Sequence, residues 1–188
     1  MVKIVEQHLG GHGNKTWIDE GALLYFVDRF YVRSMLDIGC GVGGMYSIAK
    51  KNNVYWVGVD GDPEVDDESV LIHDFTKNSL DIGVKFDLGW SVEFLEHVEE
   101  KYMYNYMVLF TECKYVLCTA AIPGTGGYHH VNEQPKEYWI NKFGDNGLVY
   151  NDEITEKVKE ASTMENKSKF GKTWLQRSGM VFINEKFI

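Results

Sequence analysis

The sequence has few of the features that mark secreted or membrane proteins. Three cysteines occur among 188 residues, and their odd number and their positions in or beside apolar runs favour free thiols in a reducing compartment. No apolar run approaches the roughly 20 residues that span a bilayer, and residues 1–13 lack the apolar core of a signal peptide. We therefore expect no membrane contact and a cytoplasmic location.

Basic residues are also scarce. Lys and Arg number 19 against 28 Asp and Glu, which gives a formal net charge of −9. Nucleic-acid-binding proteins usually carry a basic patch, whereas the Lys and Arg residues here are scattered and the densest charge cluster, residues 60–68, is acidic. The composition therefore disfavours a nucleic acid as partner, although a local basic groove can exist in an acidic protein.

The chain shows no repeats, no low-complexity tract and no linker. With 188 residues, of which 44% are hydrophobic, it has the size of one domain with a large core. We predict a single domain over residues 1–188. Its polar, glycine-rich residues 1–16 are expected to form a flexible arm or a lid, and a disordered terminus is the alternative.

A glycine-rich turn after an apolar run is the most informative pattern in the chain. Residues 34–38 predict a strand, Gly39, Gly41 and Gly44 follow, and a helical pattern begins directly after them. Glycines at such a turn accept positive φ and let a ligand approach the backbone, while the amides at the helix start lack partners. The spacing matches the dinucleotide fingerprint. Asp60, at the end of the next apolar run, occupies the place of a ribose-binding acid, so we predict a nucleoside-containing cofactor.

Asp37 narrows the choice of cofactor. It precedes the first glycine by two residues, close to where a pyrophosphate would lie, and its carboxylate would repel that group. The same carboxylate would attract the ammonium and sulfonium of S-adenosylmethionine. A nucleotide-dependent oxidoreductase is the alternative, and both Asp37 and the lack of length for a substrate domain disfavour it.

Four segments then carry a resemblance to a known family. Leu36–Gly41, Val57–Asp60, Leu71–Phe75 and Phe86–Ser91 resemble, in order, four motifs of the class I S-adenosylmethionine-dependent methyltransferases. The resemblance implies a methyltransferase with an acid at the adenine amino group. The cofactor-binding residues that it indicates are Asp37, Gly39, Cys40, Gly41, Asp60, Gly61, Asp74 and Phe75.

Strands alternate with helices along the chain. This alternation predicts an α/β fold with a single Rossmann-like doubly wound sheet, mostly parallel with an antiparallel last strand, and ligands then bind at the carboxyl ends of the strands. The predicted strands cover about residues 33–38, 54–60, 69–73, 86–90, 115–120, 148–150 and 180–188. One predicted helix begins after Asp19. Five others are predicted over about residues 42–52, 92–111, 135–143, 153–161 and 169–177.

An acidic segment after the fourth predicted strand is a candidate metal site. Glu93, Glu96 and His97 are spaced i, i+3 and i+4, so they share one face of the predicted helix. Two carboxylates and an imidazole suit Mg²⁺ or Mn²⁺, although acids near a helix start are also favourable without a metal. The glycine-rich loop after the fifth predicted strand brings His129 and His130 to the same edge of the sheet. We predict His130 as the fourth metal ligand, and His129 or His97 as catalytic base.

This combination resembles a narrower group of enzymes. Glu-x-x-Glu-His followed by a later histidine resembles the metal-dependent small-RNA 3′-terminal ribose 2′-O-methyltransferases, and Glu-x-x-Glu-His alone is similar to the ubiquinone-pathway O-methyltransferases. Both resemblances imply a divalent ion that grips neighbouring oxygens of a diol or catechol. The spacing from His130 to Trp139 and the acidic charge depart from the RNA enzymes.

We therefore predict transfer to a hydroxyl of a sugar, a glycan or another small diol. Tyr128, Tyr138 and Trp139 are candidates for stacking on a sugar face. The alternatives are an RNA or protein methyltransferase and a non-catalytic S-adenosylmethionine-binding subunit that serves a partner. The only support for the RNA or protein alternative is a basic strip around Lys136, Lys142, Lys167, Lys169 and Lys172.

Overall fold

Seven strands form one sheet within residues 6–9, 15–65, 67–165 and 171–187, the residues that the computed structural model describes. Their order across the sheet is β3-β2-β1-β4-β5-β7-β6, and β7 runs antiparallel to both of its neighbours. This confirms the predicted fold class, including the antiparallel last strand. The strands are β1 (Ser34–Ile38), β2 (Tyr55–Asp60), β3 (Val70–Ile72), β4 (Phe86–Ser91), β5 (Cys113–Cys118), β6 (Leu148–Tyr150) and β7 (Met180–Asn184).

Helices cover both faces of this sheet. On one face, Phe143 stacks on Phe182 with ring centroids 4.4 Å apart, and on the other Phe26 packs 6.1 Å from Tyr115. Each fully buried large apolar side chain contributes about 1.5–3 kcal/mol to folding. The helices are α1 (Glu20–Phe30), α2 (Met45–Lys51), α3 (Met103–Thr111), α4 (Lys136–Gly144), α5 (Asp152–Ala161) and α6 (Trp174–Ser178).

The central strand β1 lies between β2 and β4, and this arrangement builds the functional edge. Asp37 is in register with Gly58 of β2 on one side and with Trp90 of β4 on the other. The strands run in the same direction, so their carboxyl ends meet at one edge of the sheet. The segments that follow β1, β2, β3, β4 and β5 therefore converge there.

The segment after β4 differs from the predicted helix over residues 92–111. Short 3₁₀ turns at Leu95–His97 and Glu100–Tyr102 precede α3, and Glu93 has a left-handed φ of 57°. Thr119 stabilises this break, because its hydroxyl accepts from the Glu93 N–H at 2.9 Å and donates to Glu93 Oε1 at 2.8 Å. The expectation that Glu93, Glu96 and His97 share one helix face is therefore wrong.

Other element boundaries differ by a few residues. The predicted fifth strand is shifted, because β5 covers Cys113–Cys118, and the last strand ends at Asn184, where a 3₁₀ turn begins. The helix predicted over residues 169–177 begins only at Trp174, after a capping box in which Thr173 and Gln176 exchange hydrogen bonds. Residues 169 and 170 lie outside the described part of the chain.

All three cysteines are buried and form no disulfide, which confirms the expectation of free thiols for the described chain. Burial raises the pKa of each thiol, so none of them is a reactive thiolate. Among the described residues, no helix combines the length and the apolar character that crossing a membrane requires.

Candidate active site

A cavity of about 590 Å³ opens at the carboxyl edge of the sheet. Its walls come from the turn after β1, the end of β2, the segments after β3 and β4, and the loop after β5. Residues His8 and Leu9 near the N-terminus cover part of it. This volume is typical of sites for small ligands, and the strand ends that surround it carry most of the residues singled out in the sequence.

The turn after β1 offers bare backbone to the cavity. Gly39 and Gly41 have φ values of 75° and 54°, which glycine adopts without strain. A Cβ on Gly39 would lie 2.5 Å from the side chain of Phe94, so no other residue fits there. The N–H groups of Gly39 and Cys40 donate to the Val59 carbonyl at 2.8 and 3.2 Å. These bonds hold the turn against β2.

Asp60 joins this turn to the end of β2. Its carboxylate accepts from the Gly41 N–H at 2.7 Å and from the Asp62 N–H at 2.9 Å, one bond on each oxygen. Each carboxylate oxygen has a second lone pair, so Asp60 can accept two further hydrogen bonds from a ligand in the cavity. A Cβ on the neighbouring Gly61 would lie 2.7 Å from Leu9.

Asp37 contributes a buried carboxyl to the cavity wall. It is 3% exposed and accepts from the indole N–H of Trp56 at 3.2 Å. Burial raises the pKa of Asp37 to about 8, the Trp56 bond opposes the rise, and the negative charge of Asp60 adds to it. A cation in the cavity would favour the ionised form of Asp37.

Asp74 and Phe75 line the cavity after the end of β3. Asp74 accepts from the N–H and hydroxyl of Thr76 at 2.8 and 2.7 Å, and its other oxygen lies 3.1 Å from His8 Nε2. Burial raises the pKa of Asp74, but the bonds from Thr76 and His8 outweigh it, so the pKa is lowered. Phe75 is buried against Phe94, with ring centroids 5.7 Å apart.

The predicted arm over residues 1–16 lies only partly within the described residues. His8 contacts Asp74, as above, and Leu9 covers Gly61, while residues 1–5 and 10–14 lie outside the described part of the chain. The described piece therefore lies over the end of the cavity that Asp74 and Phe75 form.

Glu96, His97 and His130 converge beside the cavity. One ligand atom from each lies within 4.8 Å of the other two. Glu96 is fully buried, and its Oε1 accepts from the Ala121 N–H at 3.1 Å. Its Oε2 receives no hydrogen bond from the N–H and hydroxyl donors of the described residues. Buried oxygens without a donor are rare and costly, so this donor set fits a divalent cation.

Glu93 lies next to this cluster and outside it. Its carboxyl is in contact with that of Glu96 and it lines the cavity. Burial raises the pKa of both acids, to about 7 for Glu93, and the charge of Glu93 raises the pKa of Glu96 further. The two carboxyls therefore compete for a proton or a cation.

The two histidines of the cluster meet edge to face. The ring centroids of His97 and His130 are 4.9 Å apart at an interplanar angle of 88°. Burial lowers the pKa of His97 to about 4, and the neighbouring His130 and His129 lower it further, against hydrogen bonds with the backbone of Tyr128 and His129. His97 is therefore neutral near neutral pH, and one of its nitrogens keeps a lone pair.

The structure adds Glu133, a residue that the sequence reasoning missed. Its Oε1 lies 2.8 Å from His130 Nδ1, and its carboxylate accepts the N–H groups of Gly124 and Gly126 at 2.8 and 2.6 Å. Partial burial raises the pKa of Glu133, but these three bonds outweigh it and the pKa is lowered. The available sequence signal was an acid three residues after a candidate histidine in a glycine-rich loop.

Three other candidates, His129, Tyr138 and Trp139, do not belong to the three-residue cluster. His129 has a left-handed φ of 49°, and its ring centroid is 6.4 Å from that of His8. Trp139 is buried in the core on α4 beside Tyr138, so these two do not reach the cavity. The aromatic residues at the cavity besides Tyr128 include Trp17 and Trp174, whose rings meet edge to face at 5.7 Å.

Comparison with known proteins gives fold-level matches. No protein-family model and no curated protein matches the chain. A TehB-like S-adenosylmethionine-dependent methyltransferase from Corynebacterium glutamicum superposes with a TM-score of 0.59 at 16% identity, over 92% of this chain and 90% of its own. The methyltransferase domain of bacterial CtHen1-CN gives 0.57 at 17% identity, over 87% and 96%.

A third neighbour is the sugar N-methyltransferase KedS8 from Streptoalloteichus, with a TM-score of 0.61 at 10% identity, over 87% of this chain and 85% of its own. At such identities the likeness concerns the fold, and it confirms the resemblance to class I enzymes at that level. The chain therefore has the fold of the S-adenosylmethionine-dependent methyltransferases.

Proposed function

We propose that the protein is an S-adenosylmethionine-dependent O-methyltransferase that acts, with a divalent ion, on a hydroxyl of a sugar, a glycan or another small diol. The observation that carries the proposal is the Glu96, His97 and His130 cluster beside a cavity in a methyltransferase fold, in which Glu96 Oε2 receives no hydrogen bond from the N–H and hydroxyl donors of the described residues. The sugar N-methyltransferase among the structural neighbours supports a small-molecule substrate.

The cofactor fits the glycine turn and the acids around it. Gly39 and Gly41 would let it approach the backbone, and Asp60 would accept hydrogen bonds from the ribose hydroxyls. Asp37, buried near the turn, would face the positive charges of the methionine part. Asp74 would bind the adenine amino group, at the end of the cavity that His8 now contacts.

Glu96, His97 and His130 would hold the divalent ion, and Glu93 would complete the set from the adjacent carboxyl. When bound, the ion would supply a Lewis acid that lowers the pKa of a coordinated hydroxyl. The chain's own part is to orient the acceptor beside the methyl donor and to exclude water. His129, whose ring centroid lies 6.4 Å from that of His8, is the candidate base, and His97 takes that role if no metal binds.

S-adenosylmethionine binding is expected to release about one proton near pH 7, because the pKa of Asp37 is about 8 without ligand. Below that pKa the carboxyl holds its proton, and a sulfonium cation lowers the pKa and expels it. Above about pH 9 the group is already ionised, so the release disappears. Calorimetry in buffers of different ionisation enthalpy measures it. Asp37→Asn should release none, and equal release by this variant would contradict the assignment.

The acceptor class is tested with a labelled methyl donor. We expect transfer to vicinal diols of sugars, glycans or catechols, stimulated by Mg²⁺ or Mn²⁺, and no transfer to the matching deoxy compounds. Transfer confined to an RNA with a 3′-terminal diol, and weakened by salt, would instead support the RNA alternative. Cofactor binding without transfer to any acceptor would support a non-catalytic partner subunit.

The described lysines give the RNA alternative little support. Lys142 Nζ lies 2.7 Å from Glu100, and Lys136 donates to Tyr150 at 2.6 Å and lies 3.9 Å from Asp152. These charges are partly neutralised within the protein. Two further lysines of that strip, Lys167 and Lys169, lie outside the described residues.

A further inference from the structure

We propose that Glu133 is a positioning residue, which makes His130 a metal ligand by fixing the ring nitrogen that carries its hydrogen. The proposal rests on the divalent-ion site of the proposed function, because His130 is one of the three clustered ligands. It assigns a role to a residue that belongs neither to the cofactor turn nor to the cluster of Glu96, His97 and His130.

The hydrogen bond between the two side chains determines the tautomer. His130 Nδ1 lies 2.8 Å from Glu133 Oε1, and their side chains are only 12% and 17% exposed. An ionised carboxylate only accepts hydrogen bonds, so Nδ1 must carry the hydrogen. Nε2 is then the ring nitrogen with a lone pair, and a metal ligand needs that lone pair.

Two backbone contacts also hold the Glu133 carboxylate in place. The N–H groups of Gly124 and Gly126 donate to its two oxygens, so the same carboxylate that binds His130 also closes the loop. Three donors converge on this carboxylate. A neutral carboxylic acid or an amide would carry a hydrogen on one of its two atoms, and that hydrogen would face one of the three donors. This arrangement of three donors therefore requires a carboxylate at position 133.

Backbone close to His130 restricts its ring as well. A Cβ on Gly127 would lie 2.3 Å from His130 Nε2, so the imidazole packs against a residue without a side chain. The Val131 and Asn132 N–H groups both donate to the Glu96 carbonyl at 3.0 Å. The loop thereby ties the histidine to the same residue that supplies the buried carboxylate.

Thr125 fixes the same loop independently of Glu133. A substitution there can show whether loop order alone affects metal binding. Arg177 Nη2 donates to Thr125 Oγ1 at 2.9 Å, and Thr125 donates to the Ile122 carbonyl at 2.7 Å. Thr125→Val removes these two side-chain bonds and leaves the pair of His130 and Glu133 untouched. It is therefore the control for a loosened loop.

The test measures Mn²⁺ affinity of the full chain without acceptor, by electron paramagnetic resonance and calorimetry. Glu133→Ala should weaken Mn²⁺ binding about 10- to 100-fold, the usual loss when a group that orients a ligand is removed. Glu133→Gln, which keeps an acceptor for Nδ1 but turns an amide towards Gly124, should lose less. Glu137→Ala, which removes an exposed glutamate on α4, and Thr125→Val should stay within about threefold of wild type.

A metal-free measurement tests the tautomer directly. In ¹⁵N NMR spectra, His130 of the wild type should carry its hydrogen on Nδ1, and Glu133→Ala should shift the ring towards a mixture. If the wild type binds Mn²⁺ and Glu133→Ala binds it equally well, the positioning role is overturned while the proposed function stands. If Thr125→Val loses as much affinity, loop order sets the affinity and the proposal also fails. If the wild type binds no Mn²⁺, the metal part of the proposed function falls, and this inference falls with it.

Discussion

Removal of divalent ions with EDTA is expected to abolish methyl transfer and to leave S-adenosylmethionine affinity nearly unchanged. The ion is proposed to bind Glu96, His97 and His130, at the segments after β4 and β5, whereas the cofactor turn follows β1. It would serve the acceptor hydroxyl and not the methyl donor. After chelation, turnover measured with labelled cofactor should therefore be lost, while the S-adenosylmethionine affinity measured by calorimetry should stay nearly the same. Added Mg²⁺ or Mn²⁺ should restore turnover.

Glu96→Gln tests the same metal site by substitution of one proposed ligand. Glutamine keeps the shape and an acceptor for the Ala121 N–H, so the fold should survive, but the anionic oxygen of the ligand set is lost. We expect metal binding and turnover to fall together, each by at least about 100-fold, because a buried charged ligand is replaced by a neutral one. Glu99→Ala, an exposed acid three residues away, serves as control. Full activity after exhaustive chelation would leave the cluster as an acid/base group, with His97 or His129 as the base.

Asp60→Ala is expected to weaken S-adenosylmethionine binding ten- to a hundredfold. Loss of a charge-assisted hydrogen bond costs about 1.5–3 kcal/mol, which corresponds to that range. The carboxylate also accepts from Gly41 and Asp62, so the substitution loosens the turn that would contact the cofactor. Both effects have the same direction, and calorimetry of the variant with S-adenosylmethionine gives their sum.

Asp81→Ala provides the comparison for Asp60→Ala. Asp81 accepts a backbone N–H from Gly83 at 2.8 Å, in the same Asx geometry that Asp60 makes with Asp62, but it does not line the large cavity. Its loss should leave cofactor affinity unchanged. Unchanged affinity in Asp60→Ala, or tighter binding of NAD than of S-adenosylmethionine, would contradict the cofactor assignment.

The sheet was predictable because each strand is marked by the composition of its own few residues. Apolar runs mark β1, β2 and β4 within a residue or two, and their alternation with helices implies that the strands are parallel. The end of β5 was predicted two residues too late. The Thr119 N–H still donates to the Ser91 carbonyl of β4, but the Thr119 hydroxyl bonds to Glu93 and the strand ends at Cys118.

The site was harder to predict where long-range contacts decide it. The i, i+3, i+4 spacing predicted that Glu93 lies on a helix face. In the structure Glu93 has a left-handed φ, and it bonds to Thr119, which lies 26 residues away in the sequence. The pairing of His130 with Glu133 depends on how the glycine loop folds back, which no periodicity encodes. His8 reaches Asp74 across 66 positions. Contacts of this kind arise from the packed fold and leave no pattern in the sequence.

The position of β7 has a consequence for the chain during synthesis. In the described sheet β6 pairs only with β7, and β7 fills the place between β5 and β6. The ribosome delivers β1 to β5, with the acids and histidines of the candidate site, well before β7. Until then the edge of β5 presents unpaired backbone groups, which other chains can bind. The nascent protein thus has an open strand edge beside a nearly complete site, and β7 covers that edge.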